Sequence, residues 1–227
     1  MIRVESGRLA KIGGHIFENT LANHLSITEN ELHEVHGSSK TKIDIQNKSC
    51  SNRYSVKNPS GKNTQIGLIT QKKFIEYMGI DNVSVNNFIT KFFGGNEFSN
   101  YDRHRMTSQQ IPDIECQSFL NMMNNSNDKI YKLLFTHGYN QYGDVNYLIW
   151  ANKKDDVNSI EIVNLKDFWE LFKTGSWILN DTTLSFMVNN KKVLHLQMKG
   201  SGKKYSNGYH GMQFHLHNTL FDANDSH

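Results

Sequence analysis

Residues 40–57 read KTKIDIQNKSCSNRYSVK, and this stretch decides the fold that the sequence predicts. Apolar and polar residues alternate on both sides of a polar segment, which indicates two short strands joined by a turn. Because successive side chains of a strand point to opposite faces, the apolar members would share one face: Ile43, Ile45, Tyr54 and Val56. The opposite face would carry Asp44, Ser55 and Lys57.

Pairing of these strands around a turn near 48–52 would place Asp44 opposite, or nearly opposite, Lys57. A carboxylate, an ammonium group and the Ser55 hydroxyl would then lie on one face. A magnesium-dependent phosphodiesterase needs such a set, because a carboxylate oxygen and a nearby backbone carbonyl bind a hard cation while the lysine positions the attacking water. The bare spacing of these three residues is common by chance, so its surroundings have to support it.

The segment before the strand pair predicts an amphipathic helix over residues 14–25, with Glu18 beside its apolar stripe. The stripe consists of Ile16 or Phe17, Leu21 and Leu25. Glu18 would add a carboxylate to the site or help to orient Lys57. Its alternative role is that of an ordinary residue on the helix surface.

The segment after the strand pair, residues 58–65, predicts a polar loop, since Pro59 and Gly61 both disfavour a strand. Lys62, Asn63 and Gln65 in this loop are side-chain donors well placed to contact DNA. The alternative is a polar surface loop without a partner, which is the commoner outcome for such loops.

The whole pattern predicts one α/β domain over residues 1–227, with a mixed central β-sheet flanked by helices. A mostly helical block at about 68–138 is either inserted or packed on the sheet. Its expected helices are 70–78, 83–93, 113–123 and 128–137. Further strands are expected at 145–150, 159–163, 184–188, 193–198 and 212–217, with a helix at 165–173. The terminal strands would cover about 182–217, and the resemblance described below implies that they face DNA.

Charge is unevenly distributed along the chain, although the net charge is only +3. Residues 189–217 contain five lysines and four histidines but no aspartate or glutamate, and an acid-free stretch of this kind suits phosphate contact. The alternative is a basic surface that is only solvated.

Composition excludes several classes of protein. The two cysteines, Cys50 and Cys116, are too few for a disulfide framework or a thiolate zinc site. No apolar run is long enough to cross a bilayer and residues 1–10 show no secretory signal, so a cytoplasmic protein without a membrane partner is expected. Zinc-protease, P-loop, dinucleotide and serine-hydrolase motifs are absent from the sequence.

The helix with Glu18 and the two strands resemble the core of the PD-(D/E)XK nucleases, and more narrowly the small type II restriction endonucleases of the MspI and HinP kind. The terminal block is the most specific part of this resemblance, with a Gln197-Met-Lys-Gly loop followed by a Met212-Gln-Phe strand. One position departs from the pattern. Two residues before the lysine the family has Glu, Gln or Asn, whereas this chain has Ser55.

The resemblance implies a type II site-specific deoxyribonuclease that hydrolyses double-stranded DNA at a short palindromic site in the bacterial cytoplasm. Asp44 would be the Mg²⁺ ligand, Lys57 would position the attacking water and stabilise charge on the phosphate, and Ser55 would assist. Because serine contributes no negative charge, Mg²⁺ affinity is expected to be weak until DNA supplies ligands.

The resemblance also implies a set of DNA contacts, in which lysine would read guanine and glutamine would read adenine. The set is Lys62, Asn63, Gln65, Gln197, Lys199, Ser201, Lys203, Lys204 and Gln213. Two cuts in a duplex require a homodimer on DNA or sequential nicking. A companion DNA methyltransferase acting on the same site, without direct contact, is also implied. The alternatives are a DNA-binding protein that does not cleave, a structure-specific nicking or repair nuclease, and a basic tail that binds RNA.

Overall fold

The computed structural model describes residues 2–27 (backbone only for 2–12), 43–47, 49–59, 61, 63–94, 106–138, 144–198 and 211–218. The helices are α1 Ile2–His24, α2 Gln71–Met78, α3 Val83–Phe93, α4 Asp113–Asn124, α5 Asn127–Tyr131 and α6 Leu165–Phe172. The strands are β1 Ile45–Asn47, β2 Asn52–Lys57, β3 Asn63–Thr70, β4 Tyr147–Ala151, β5 Ile160–Asn164, β6 Ser176–Leu179, β7 Leu184–Val188, β8 Lys191–Met198 and β9 Gly211–His217.

The chain divides into two compact units, Met1–Thr64 with Phe135–Trp169 and Gln65–Leu134 with Glu170–His227. Each unit contains its own sheet, so the helices and strands form a mixed α/β protein with two sheets where one central sheet was expected. The organisation of residues 1–227 as a single nuclease domain stays a prediction.

The sheet of the first unit has the order β1-β2-β4-β5. β1 pairs antiparallel with β2, β2 pairs parallel with β4, and β4 pairs antiparallel with β5, which confirms the expected mixed sheet. The parallel pair joins strands far apart in sequence, as parallel strands require a long connection. β2 is therefore a central strand, and its residues are positioned from both sides.

The core of the first unit lies between this sheet and α1. Its buried members are Phe17, Leu21, Ala22, Ile27, Ile45, Tyr54, Val56, Ile149 and Ala151. The predicted helical stripe is thus confirmed with Phe17 as its first member, whereas Ile16 is exposed. Burial of this apolar face is the main contribution that holds α1 on the sheet.

The second unit has a five-stranded sheet with the order β3-β9-β8-β7-β6, in which β6 to β9 pair antiparallel. Helices α3 and α4 pack through buried phenylalanines, with the Phe88 ring 4.4 Å from that of Phe119. Glu115, in the first turn of α4, accepts hydrogen bonds from Lys91 Nζ at 2.7 and 2.8 Å. An ion pair therefore satisfies the one acidic side chain that is buried there.

Two strands differ from the sequence-based expectation. Residues 63–70 form β3, although a loop up to 65 and then helix were expected; Ile66 and Ile69 are buried, and the distant strand β9 supplies the pairing partner. β6 was not expected at all and is held by pairing with β7, the next strand along the chain. The helix expected at 128–137 is α5 followed by a π-helical turn, Lys132–Thr136.

Within the described ranges, no helix is both long and apolar enough to cross a membrane. The sequence also predicts a short helix over residues 28–36, in which Thr28 and Glu31 have capping-box spacing, and these residues lie outside the described ones.

Gly175 provides a test of the packing in the second unit. A Cβ atom at this position would overlap the Phe186 ring and lie 2.8 Å from the Met187 carbonyl oxygen. Gly175→Ala should lower the free energy of unfolding by about 1–3 kcal/mol or more, as overpacking does. Urea unfolding followed by circular dichroism measures this change.

Gly14→Ala is the matched control, because the added Cβ would have no neighbour within 4 Å on α1. It should stabilise the protein by about 0.5–1 kcal/mol through helix propensity. Equal unfolding midpoints for the two variants would contradict the packing around Gly175.

Candidate active site

The β1–β2 hairpin brings Asp44 next to β2. The residue immediately after it, Ile45, is paired with Tyr54, and the Asp44 backbone N–H donates to the Tyr54 carbonyl oxygen at 2.8 Å. Asp44 lies just before β1, and its side chain contacts the Ser55 hydroxyl, while Lys57 lies two residues beyond Ser55 on the same face of β2. Asp44 was expected to lie opposite, or nearly opposite, Lys57. The two charged groups come together because the Lys57 side chain is long enough to extend toward Asp44.

The turn of the hairpin is closed by its own side chains. Asn47 Oδ1 accepts hydrogen bonds from the Ser49 backbone N–H at 3.0 Å and from the Ser49 hydroxyl at 2.6 Å. Ser51 adopts a positive φ of 59°, in the left-handed region that such tight turns use. These local contacts set the register on which the position of Asp44 depends.

One carboxylate oxygen of Asp44 is surrounded by donors. Asp44 Oδ2 accepts from the Val56 backbone N–H at 2.6 Å and from the Ser55 hydroxyl at 3.1 Å, and it lies 3.7 Å from Lys57 Nζ. Oδ1 has no hydrogen-bond partner among the described residues, and the side chain is 30% exposed. Oδ2 therefore anchors the side chain, which leaves Oδ1 available for a ligand.

The Ser55 hydroxyl links the two charged groups. It donates to Asp44 Oδ2 and accepts from Lys57 Nζ at 2.8 Å, and Ser55 is only 3% exposed. Lys57 Nζ also donates to the Val56 carbonyl oxygen at 3.0 Å. The Ser55 hydroxyl is thus a hydrogen-bond bridge between the carboxylate and the ammonium group.

The opposite face of the same hairpin is apolar, as the alternation in residues 43–56 predicted. Ile45, Tyr54 and Val56 are buried in the core of the first unit, and the Tyr54 ring stacks on Tyr147 with centroids 5.4 Å apart. Because Ser55 lies between Tyr54 and Val56 in sequence, burial of its neighbours holds its side chain toward Asp44. Packing of the core and geometry of the site are therefore coupled.

Helix α1 contributes Glu18 to this site. Phe17 is buried in the core, and the next residue, Glu18, is half-buried and lies 3.2 Å from His15 Nδ1 through Oε2. Burial raises the pKa of the Glu18 carboxyl, and the charge of Asp44 raises it further, while His15 and Lys57 act in the opposite direction. Glu18 is therefore within electrostatic reach of both charged members of the hairpin.

The arrangement is compatible with a magnesium ion. No group of three or more His, Cys, Asp or Glu side chains in the described residues has a metal-binding arrangement. Magnesium does not need one, because it keeps several waters and takes one or two carboxylates together with substrate phosphate. Asp44 Oδ1, the Val56 carbonyl oxygen and the Glu18 carboxylate are oxygen donors of the type it prefers.

Four of the residues expected to contact DNA lie in the described residues. Asn63 is exposed at the start of β3. In the second unit, Gln197 is paired with Gln213 across β8 and β9, and Gln213 Nε2 donates to Gln65 Oε1. Three of the expected glutamines thus form one row across three strands. The other expected contacts, Lys62, Lys199, Ser201, Lys203 and Lys204, lie outside the described residues.

Sequence reasoning missed two features. His15, one helical turn before Glu18, is a partner that the i, i+3 spacing could have indicated. His195, His215 and His217 form a cluster on β8 and β9 next to the glutamine row. The alternation in the two strands places these histidines on one face, but their pairing depends on the register.

Comparisons with known proteins were made on the whole chain. No family model matches it, and no curated protein matches it significantly. Among solved structures, it is similar to the restriction endonuclease MspI in complex with its cognate DNA, with 13% identity and a TM-score of 0.47 over 86% of this chain and 75% of that chain. A likeness of this size leaves function to be argued from the site itself.

Glu18 gives a prediction about stability. Because its pKa is raised in the folded state above the usual 4.5, the folded protein binds this proton more tightly than the unfolded chain does. The stabilisation is present below pH 4.5 and is lost as the pH rises through the folded-state pKa. Glu18→Gln should therefore increase the urea midpoint at pH 7.5, and the gain should shrink on acidification.

Glu161→Gln on β5 is the control for charge removal, since Glu161 is only partly buried and its Oε1 accepts from Asn152 in the same unit. This variant should show no gain in stability at pH 7.5. A Glu18→Gln protein that is less stable than the unmodified protein at pH 7.5 would contradict the electrostatic description of the site.

Proposed function

We propose that this protein is a Mg²⁺-dependent endonuclease that hydrolyses phosphodiester bonds of double-stranded DNA at a short specific sequence. The observation that carries the proposal is the contact of Asp44, just before β1, with Ser55 and Lys57 of β2, while no described residue forms a hydrogen bond with Asp44 Oδ1. An acid and a lysine brought together on one sheet are what the resemblance to the PD-(D/E)XK nucleases implies, and this supports the proposal. Because Ser55 is buried, its hydroxyl requires hydrogen-bond partners, and Asp44 and Lys57 are those partners.

The chemistry assigned to each group follows from its position. Asp44 Oδ1 and the Val56 carbonyl oxygen would hold Mg²⁺, with Glu18 as a further carboxylate. When bound, the ion supplies Lewis-acid polarisation of the scissile phosphate. The Lys57 ammonium group would orient the attacking water and stabilise the negative charge that develops on the phosphate.

Lys57 has to change its contacts to fill this role. Its Nζ donates to the Val56 carbonyl oxygen at 3.0 Å and to the Ser55 hydroxyl at 2.8 Å. Rotation of the side chain away from Val56 would release that carbonyl oxygen for the ion while Ser55 remains in reach. A flexible four-carbon stem permits the rotation, and arginine would not be an equivalent replacement.

With Ser55 in this position, the site should bind Mg²⁺ more weakly than a site that has glutamate there. A hydroxyl contributes no charge, so Asp44 is the firm anionic ligand and Glu18 the second. We expect Mg²⁺ to bind tightly only when a DNA phosphate supplies additional oxygen ligands. Without DNA, the site would therefore hold little Mg²⁺.

Recognition is assigned to the second unit, where uncharged hydrogen-bonding side chains share one sheet face. Gln65, Gln197 and Gln213 present amide groups of the type that reads adenine in the major groove. Lys62 and the basic segment 199–204 would supply phosphate contacts. A homodimer on DNA would give the two cuts that a duplex requires.

Cleavage of plasmid DNA tests the catalytic assignment. With Mg²⁺ the protein should yield discrete fragments, and EDTA should abolish them. Asp44→Asn and Lys57→Ala should each lower the cleavage rate by roughly 100-fold or more, because each removes a charge used in the transition state. Gel electrophoresis of a time course measures the rates.

Lys166→Ala is the matched control for Lys57→Ala, since Lys166 is exposed on α6 in the same unit. It should cleave at the rate of the unmodified protein, and both lysine variants should retain duplex binding in an anisotropy assay with EDTA. Binding without any cleavage by the unmodified protein would refute the endonuclease and favour a DNA-binding protein that does not cleave.

Substitution of Ser55 tests the hydrogen-bond bridge. Ser55→Ala removes an acceptor from Lys57 and a donor from Asp44, and it should cost about 1–2 kcal/mol of stability together with most of the cleavage rate. Ser185→Ala is matched in burial, since the Ser185 hydroxyl is also buried and accepts from Asn180. It should lose similar stability but retain cleavage. Equal cleavage by both variants would remove Ser55 from the site.

A further inference from the structure

Three histidines of the second unit form a cluster that the nuclease site does not use. His195 lies on β8, and His215 and His217 lie on β9, with His195 directly paired with His215 in the register. All three are half-buried. Gln197 Nε2 lies 3.4 Å from His215 Nε2, so the cluster continues the glutamine row of the same sheet face.

The contacts within the cluster are those of uncharged imidazoles. His195 Nδ1 lies 2.7 Å from His217 Nε2, a hydrogen bond in which one ring donates and the other accepts. The rings of His195 and His215 stack face to face, with centroids 4.6 Å apart and an interplanar angle of 3°. His215 Nδ1 is buried, and no described residue forms a hydrogen bond with it.

The electrostatic surroundings of the cluster are positive. Burial lowers the pKa of all three histidines; the neighbouring histidines and Lys192 lower that of His195 further, to about 4, and Lys192 and His215 act likewise on His217. The sequence between 189 and 217 contains no acidic residue. The cluster therefore combines several groups that can accept protons with no carboxylate from its own strands.

The neighbouring elements of the unit do not change this balance. Strands β3, β6 and β7 contain no ionisable residue, and β8 adds Lys191 and Lys192. Helix α3 also contacts β8, and its one ionisable side chain, Lys91, is paired with Glu115. Helix α2, which carries Lys72, Lys73 and Glu76, packs through Phe74 on Phe214 of β9, on the buried face opposite the histidines. The described charged group that acts on the cluster is therefore Lys192.

We propose that His195, His215 and His217, with Lys192 beside them, form an anion site that binds a phosphate group and takes up one or two protons as it does so. A phosphodiester of DNA is the ligand if the proposed function holds, on which this choice of source rests; free phosphate is the other source of the same chemistry. An anion would offset the repulsion between protonated rings, and the protonated ring nitrogens that face it would donate to phosphate oxygens.

Imidazole NMR on the unmodified full-length protein tests the site directly. The pH titrations of the histidine rings are recorded in sodium chloride and in sodium phosphate at equal ionic strength. Phosphate should raise the titration midpoints of the three cluster histidines and leave that of His24, exposed at the end of α1, in place. Resonances are assigned with single His→Asn variants.

Duplex binding without cleavage is the second arm, measured by anisotropy of a labelled duplex in EDTA at pH 7.5 and 6.0 and constant ionic strength. Uptake of one proton strengthens binding by up to about tenfold per pH unit. The unmodified protein and His24→Asn should bind several-fold more tightly at pH 6.0, and the double variant His195→Asn/His217→Asn should lose most of that gain.

The outcomes separate this proposal from the nuclease. Midpoints raised by phosphate and by DNA, with the pH gain lost in the double variant, support a site for the DNA phosphodiester. Midpoints raised by phosphate in a protein that does not bind DNA support the anion site with free phosphate as ligand and refute the nuclease alone. Midpoints that neither ligand moves overturn the anion site, even if plasmid cleavage proceeds.

Discussion

The structure of the candidate site depends on the bond from the Val56 backbone N–H to Asp44 Oδ2, at 2.6 Å. This bond fixes the acidic side chain to the central strand β2 rather than to solvent. A charge-assisted bond of this kind is among the stronger hydrogen bonds in proteins. With one oxygen held in this way, the other is presented in a defined direction, and Ser55 and Lys57 are placed around the same carboxylate.

Burial on one face of the hairpin makes this geometry possible on the other. Tyr54 and Val56 pack into the core beneath α1, so β2 cannot shift by one residue without exposing them and burying Ser55 and Lys57 on the wrong side. The same core fixes Phe17, and thereby brings Glu18 toward the hairpin. The raised pKa of Glu18 shows that this placement opposes stability at neutral pH, as is common where charged groups are gathered for binding or catalysis.

The two units use polar residues differently. In the first, an acid and a lysine are bridged by a hydroxyl, an arrangement suited to chemistry on a phosphate. In the second, the sheet face of β8 and β9 carries amides and uncharged imidazoles, which suit hydrogen bonding to bases or, after protonation, to an anion. The buried Lys91–Glu115 pair has neither role and satisfies charge within the packing of α3 and α4.

Sequence alone determined the elements whose signal is local. Alternation over 43–57 predicted the hairpin and its two faces, and helical periodicity predicted the Phe17 stripe and α3, because both patterns depend on neighbouring residues only. Tertiary structure decided what depends on distant partners. β3 exists because the distant strand β9 pairs with it, and the histidines meet because one register joins β8 to β9. The contact of Asp44 with Ser55 and Lys57 also depends on the strand register. Packing and turn geometry together set this register, and spacing in the sequence does not specify it.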